Sequence, residues 1–274
     1  MPELPEVETV ATALRSHLPG RKVTGVTTRC EKLRRPMPVK ALQNLINVTI
    51  RGVRRRAKYL LIDMNCGQTL VIHLGMTGTL RLTDKDDAAK RHDHLDLQLD
   101  NGECLRFRDP RKFGLVMVVK PNELGEIKEL GKLAPEPLSE EFSSDYFYRL
   151  SRKRTTPVKN FIMDQRRVVG VGNIYASESL FRTNIRPTTT VGRLGLKRCS
   201  QLVKTIKEVL NEAIATGGTT ISDFHGVDGS EGAFVRKLQV YGRTGKPCVK
   251  CQEPIKKIII GGRSTFYCPK CQKR

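Results

Sequence analysis

The hydrophobic pattern of this chain of 274 residues passes from a long strand-period region to a helical one across the Pro-, Gly- and Glu-rich stretch 121–137, and that change constrains its fold more than any other feature. Ahead of the change the period is two. Leu70-Val71-Ile72 leads to Leu74, residues 94–99 alternate strictly, Asp100-Asn101-Gly102 offers a turn before Cys104-Leu105-Arg106-Phe107, and 115–119 is a buried-strand run. Several short strands with turn punctuation between residues 21 and 120 predict a β-sandwich or barrel. One helix precedes them. Val7, Val10, Ala11, Leu14 and Leu18 fall on one face at helical spacing, Glu3, Glu6 and Glu8 sit where the helix dipole favours anions, and Pro19-Gly20 ends the segment.

Beyond the change the period is helical. Val158, Phe161 and Ile162 share a face, and Ile174, Ser177, Leu180 and Phe181 share another. Between them runs a turn of small residues, Val168-Val169-Gly170-Val171-Gly172-Asn173. Helix, Gly-containing turn, helix is a helix-turn-helix arrangement with an unusually long turn. Leu202, Ile206, Val209 and Ala213 mark a further amphipathic helix that stops at Gly217-Gly218. The overall class is α+β, with the boundary at 121–137.

Four of the eight cysteines are spaced Cys248-x2-Cys251-x16-Cys268-x2-Cys271. Two CxxC knuckles at this separation suit a tetrahedral four-thiolate zinc site. With no open position for water, one zinc per chain would be structural. Nothing in the sequence asks for an organic cofactor. Cys30, Cys66, Cys104 and Cys199 are isolated, and His73 and His94 are read as structural.

Lys and Arg total 49 against 28 Asp and Glu, a formal net charge of +21. Such an excess points to a polyanionic partner, foremost a nucleic acid. The basic residues cluster: 230–274 holds eleven Lys/Arg against two Asp/Glu, and Arg149, Arg152, Lys153, Arg154 and Lys159 have no acid between them. No apolar run is long enough to cross a bilayer, and acidic residues stand where a secretory signal needs basic ones, so a cytoplasmic location and no membrane partner are expected.

Pro2 and Glu3 admit two readings. Pro is a common first residue of a helix. If Met1 is removed, however, Pro2 offers a secondary amine with a pKa near ~8. Attack of that amine on a sugar C1′ gives an iminium, which acidifies C2′ and promotes loss of the 3′ phosphate; Glu3 can protonate the ribose oxygen.

Met1-Pro2-Glu3-Leu4-Pro5-Glu6-Val7-Glu8-Thr9 resembles the N-terminal signature of the formamidopyrimidine-DNA glycosylase family. The resemblance continues at Arg56-Ala57-Lys58-Tyr59-Leu60, His73-Leu74-Gly75-Met76-Thr77-Gly78 and Asp109-Pro110-Arg111-Lys112-Phe113-Gly114. It extends through residues 169–178 to Gly261-Gly262-Arg263-Ser264-Thr265-Phe266-Tyr267-Cys268, in family order along the whole chain. It implies an N-terminal β-sandwich over 1–130, a helix–two-turn–helix domain over 131–235 and a zinc ribbon over 236–274.

The resemblance also implies roles. Pro2 is the Schiff-base nucleophile, Glu3 the proton donor, Lys58 serves β-elimination and Arg263 δ-elimination. His92, Arg111 and Arg154 contact DNA, Lys159 and Asn173 hold its backbone near the lesion, and Met76, Arg111 and Phe113 fill the hole left by an extruded nucleotide. The implied partner is duplex DNA containing oxidised bases, bound by a monomer. Met76 and Phe113 would ordinarily be core residues of strands, but Gly75, Gly78 and Gly114 place them at loop tips. The segment 222–238, with Gly226, Gly229 and Gly232, has the composition of a loop able to close over a flipped base. Two alternatives stay open: a sibling of endonuclease VIII type that prefers oxidised pyrimidines, and a non-catalytic zinc-ribbon DNA-binding protein.

Overall fold

The computed structural model describes residues 2–219 and 233–273, and the expected loop at 222–238 falls mostly outside them. The chain divides into two compact units, Met1–Gly131 with Thr216–Ala233, and Lys132–Ala215 with Phe234–Arg274.

The first unit opens with helix α1 (Leu4–His17), capped by Glu3, with Pro5 in its first turn. Its predicted apolar face is buried throughout. Eight strands follow: β1 (Val23–Thr28), β2 (Ile50–Arg56), β3 (Tyr59–Met64), β4 (Thr69–His73), β5 (Thr79–Asp84), β6 (Asp93–Leu99), β7 (Glu103–Arg108) and β8 (Leu115–Val119), with a short helix α2 (Val39–Gln43) after β1. They form two antiparallel four-stranded sheets, ordered β1-β6-β7-β5 and β2-β3-β4-β8. Leu95, Leu97, Leu105 and Phe107 from one sheet and Leu60, Ile62, Leu70 and Ile72 from the other share one core with the buried face of α1. The alternation of β6 therefore faces a second sheet, and the architecture is a sandwich.

The opposite face of β6 is also buried, because charge is paired there. Arg106 binds Asp96 at 2.9 Å and reaches the carbonyl of Asp87, drawing the segment after β5 over the sheet. Burial pushes the Asp96 carboxyl up, but Arg106 and Arg29 outweigh it and hold the group below its ordinary range.

In the second unit, α3 (Ser144–Ser151), α4 (Val158–Met163), α5 (Asn173–Arg182) and α6 (Leu196–Ala215) enclose a core of Phe147, Phe161, Ile162, Tyr175, Leu180, Leu202, Ile206 and Val209. The predicted helix–long turn–helix is α4, residues 164–172, and α5. A hairpin of β9 (Lys256–Ile260) and β10 (Arg263–Tyr267) carries the four-cysteine region. Its own core is small: Val240, Ile255 and Phe266 with two of the cysteines, packed on Phe181.

Candidate functional site

The start of α1 is fixed by two carboxylates. Glu3, 2% exposed, forms a capping box with Glu6, whose carboxylate accepts the Glu3 N–H at 2.8 Å. The second oxygen of Glu6 accepts the Thr219 N–H at 2.7 Å, just past Gly217 and Gly218, both at positive φ. A Cβ at Gly218 would lie 3.0 Å from that oxygen, so the close approach favours glycine. Pro2 is buried immediately ahead of this cap.

Lys58 follows Ala57, which turns the chain between β2 and β3 at φ +53°. Arg55 holds that turn, donating to the Ala57 carbonyl at 3.0 Å and to Glu8 on α1. Burial raises the pKa of Glu8, but its hydrogen bonds to Arg15 and Arg55 prevail and hold it below its usual value. The turn carrying Lys58 is thus braced on the helix that carries Pro2 and Glu3.

Two loops of the same unit present the expected hole-filling side chains. Met76 is 39% exposed in the turn between β4 and β5, and Phe113 44% exposed in the loop between β7 and β8. Both therefore stand outside the core, as their flanking glycines imply. The Arg111 guanidinium lies over the Phe113 ring, 4.7 Å from its centre, and Arg34 clamps the Phe113 carbonyl from behind at 2.8 Å. His92 is part-exposed at φ +74°, just before β6.

The remaining candidates belong to the second unit. Arg154 is exposed, and its backbone is firmly held although no sequence motif marks it: its carbonyl accepts the Gly192 N–H at 3.1 Å, with no room for a Cβ at Gly192. Lys159 is not on the surface. Its fully buried ammonium donates to Asn173 Oδ1 at 2.5 Å, Thr265 Oγ1 at 2.6 Å and the Ser264 carbonyl at 3.1 Å. Asn173, half-buried at the start of α5, donates to the same carbonyl at 2.9 Å. The lysine bolts the tip end of the β9–β10 hairpin to α4 and α5. Arg263 is exposed at the hairpin tip, after Gly261 and Gly262 at positive φ.

Cys248, Cys251, Cys268 and Cys271 bring their Sγ atoms within 4.8 Å of one another. The pairs Cys248–Cys271 and Cys251–Cys268 stand 3.9 and 3.5 Å apart, against roughly 3.8 Å for thiolates at the corners of a tetrahedral zinc centre. The N–H groups of Lys250 and Cys271 point at Sγ of Cys248 and Cys268, as thiolates require. The donor set fits one structural zinc ion.

Sequence reasoning missed three buried carboxylates that organise these parts: Glu6, Asp109 and Glu178. Glu178, on α5, accepts the N–H groups of Gln239, Val240 and Tyr241 at 2.9–3.0 Å and so fixes the segment entering the ribbon. The signal available was an acid set on a buried helix face (Glu6, Glu178) or at a strand end before a glycine-closed loop (Asp109), which marks a group in need of buried partners.

Three family models match in chain order: the formamidopyrimidine-DNA glycosylase N-terminal domain over residues 1–116, the formamidopyrimidine-DNA glycosylase H2TH domain over 133–225, and the zinc finger found in FPG and IleRS over 245–274. The formamidopyrimidine-DNA glycosylase of Thioalkalivibrio sulfidiphilus is 50% identical over 274 residues, all of both chains, and that of Alcanivorax borkumensis 50% over 273. Among solved structures, a Lactococcus lactis FPG mutant in complex with Fapy-dG-containing DNA superposes with a TM-score of 0.93 at 34% identity, each chain covered fully. The FPG protein of Thermus thermophilus gives 0.89 at 38% identity, with 99% of this chain and 98% of that one covered. With full-length matches in sequence, domain order and fold, this chain belongs to the formamidopyrimidine-DNA glycosylase family.

Proposed function

We propose that the protein is a base-excision glycosylase that removes oxidised purines, 8-oxoguanine and formamidopyrimidines, from duplex DNA. It then opens the abasic site by β,δ-elimination through Pro2, whose amine is released when Met1 is removed. The observation that carries this reading is the start of α1, where Glu3 is fixed as a helix cap directly beside Pro2.

The roles follow the chemistry of each group. The Pro2 nitrogen attacks C1′ while Glu3 delivers a proton to the ribose oxygen. The base leaves and the sugar ring opens to an iminium on Pro2. This electron sink acidifies C2′, whose C–H electrons form the C2′–C3′ double bond as the proton is lost and the 3′ phosphate is expelled. Lys58 serves this β-elimination, and Arg263 the second elimination that expels the 5′ phosphate. Extruding the damaged nucleotide from the stack costs a few kcal/mol. The apolar Met76 and Phe113 fill the hole, and Arg111 satisfies the orphaned base opposite. His92 and Arg154 contact the DNA backbone, and Asn173, held with Lys159, fixes it near the lesion. Zinc maintains the ribbon that presents Arg263.

The test is borohydride trapping on duplex DNA with 8-oxoguanine opposite cytosine, after intact-mass measurement shows Met1 absent. A covalent protein–DNA adduct is expected, and none forming with Pro2 free overturns the reading. Glu3→Gln is expected to slow excision by about 10²–10⁴-fold, the usual worth of general acid–base catalysis. A Lactococcus lactis FPG has been solved with DNA containing an oxidised pyrimidine, which favours a second substrate class. Excision of a purine and a pyrimidine lesion measured side by side ranks the two.

A further inference from the structure

Asp109 follows β7, is fully buried, and touches every segment that presents a hole-filling side chain. Its Oδ2 accepts the Gly114 N–H at 2.6 Å, closing the loop that bears Arg111 and Phe113. Its Oδ1 accepts the Arg111 N–H at 3.3 Å and the Thr77 hydroxyl at 3.1 Å, which ties that loop to the turn bearing Met76. Its backbone N–H donates to the His92 carbonyl at 3.0 Å, and its carbonyl accepts from His94 Nε2 at 2.9 Å.

The two loops also meet without side chains between them. A Cβ at Gly75 would lie 2.6 Å from the Gly114 nitrogen, and one at Gly114 would lie 2.9 Å from Asp109 Oδ2. With the backbones this close, the Asp109 carboxylate is the group that can satisfy the N–H donors of one loop and the hydroxyl of the other together.

We infer that Asp109 is a positioning residue for nucleotide extrusion, which makes the Met76 turn and the Arg111–Phe113 loop a single rigid wedge with His92 in register. The inference rests on the function proposed above. Three side chains on two loops can replace one nucleotide only if their spacing is set before the DNA arrives, because a hole in a base stack has a fixed size. A carboxylate suits this task because both its oxygens accept, and charge-assisted bonds to backbone N–H groups are the stiffer kind.

The experiment uses the full zinc-loaded chain with Pro2 free and compares two substrates. One is duplex DNA with 8-oxoguanine opposite cytosine, where a hole must be filled. The other is a single-stranded oligonucleotide with an abasic site, where borohydride trapping reports Pro2 chemistry and there is no hole. Asp109→Asn places an amide against the Gly114 N–H and should slow duplex excision about tenfold to a hundredfold, the scale of an ångström-sized misplacement. Trapping on the single strand should stay at the wild-type rate. Thr77→Val removes only the bond between the loops and should produce a smaller loss of the same kind, so the proposal stays testable if Asp109→Asn does not fold. In a Phe113→Ala background, Asp109→Asn should add little, since both act through one wedge. Equal losses on both substrates, no loss on either, or full additivity with Phe113→Ala would each overturn the inference alone. A wild-type protein inactive on both substrates would instead overturn the proposed function.

Discussion

His73 shows how tightly a single side chain can be specified. Its ring packs on Tyr59 with centroids 4.8 Å apart, and its Nδ1 accepts the Gly75 N–H at 2.9 Å, so it must be neutral there. Burial, then the nearby charges of Arg34 and Lys58, push its pKa from 6.5 down to about 3. The unfolded chain thus binds a proton below pH 6.5 that the folded chain refuses until about pH 3. Stability tied to this group is complete above the unfolded pKa and declines as pH falls, at about 1.4 kcal/mol per unit. Lowering the pH from 6.5 to about 5 should therefore cost roughly 2 kcal/mol from this group. His73→Asn keeps an acceptor for Gly75 and removes the titration, so its urea midpoint should change less between about pH 7 and pH 5 than that of the wild type. A steeper change in the variant would refute the assignment. A histidine beside Gly75 is visible in the sequence as a structural residue; the cations that silence it come from Arg34 and Lys58, remote in the chain, and no local pattern announces them.

At the scale of elements, legibility tracks length and periodicity. The face of α1, the alternation of β6 and the stripe of α6 were readable because each repeats over several turns or pleats. Helix α3 was not, since it buries only Phe147 and Ser151, too few for a period to show; its Ser143 cap, accepting the Tyr146 N–H at 3.1 Å, is the sole local mark. Turns at Ala57, His92 and Lys112 adopt positive φ without glycine, and their hydrogen bonds to Arg55 and Asp109, rather than residue type, hold them. Glu178 belongs to the same class of hidden organiser. Burial pushes its pKa up, against three backbone N–H groups that favour the charged form. Glu178→Gln keeps the shape and loses an acceptor, leaving one N–H of residues 239–241 facing an amide donor. A loss of about 1–3 kcal/mol is expected, read as a lower thermal midpoint. An unchanged midpoint would show that the segment is held by other means.

Over the whole molecule, the sandwich and the zinc ribbon differ in what holds them together. The sandwich shares one large core between two sheets and α1, whereas the ribbon has three apolar residues, two cysteines and the face of Phe181. The cysteine spacing alone announced the metal site, because thiolate coordination is a local demand, and the sulfur distances bear it out. The role proposed for Pro2 rests on family resemblance, since nothing in the physics of a helix start distinguishes a nucleophile from an ordinary first residue. That contrast in construction has a consequence for metal removal. Zinc binding contributes about 10–16 kcal/mol to the folding of isolated zinc-finger peptides, far beyond what so few buried side chains can replace. Chelation under mild denaturant should therefore melt residues 245–273 while the sandwich survives. Hydrogen exchange should show β9 and β10 unprotected while β3 and β4 keep their protection. In the same sample, borohydride trapping at Pro2 on a single-stranded abasic site should persist, whereas the second elimination, assigned to Arg263 on the β9–β10 hairpin, should be lost. Restoring zinc should recover both the protection and the second elimination. Loss of protection in β3 and β4 together with β9 and β10 would show instead that zinc sustains the fold of the entire chain.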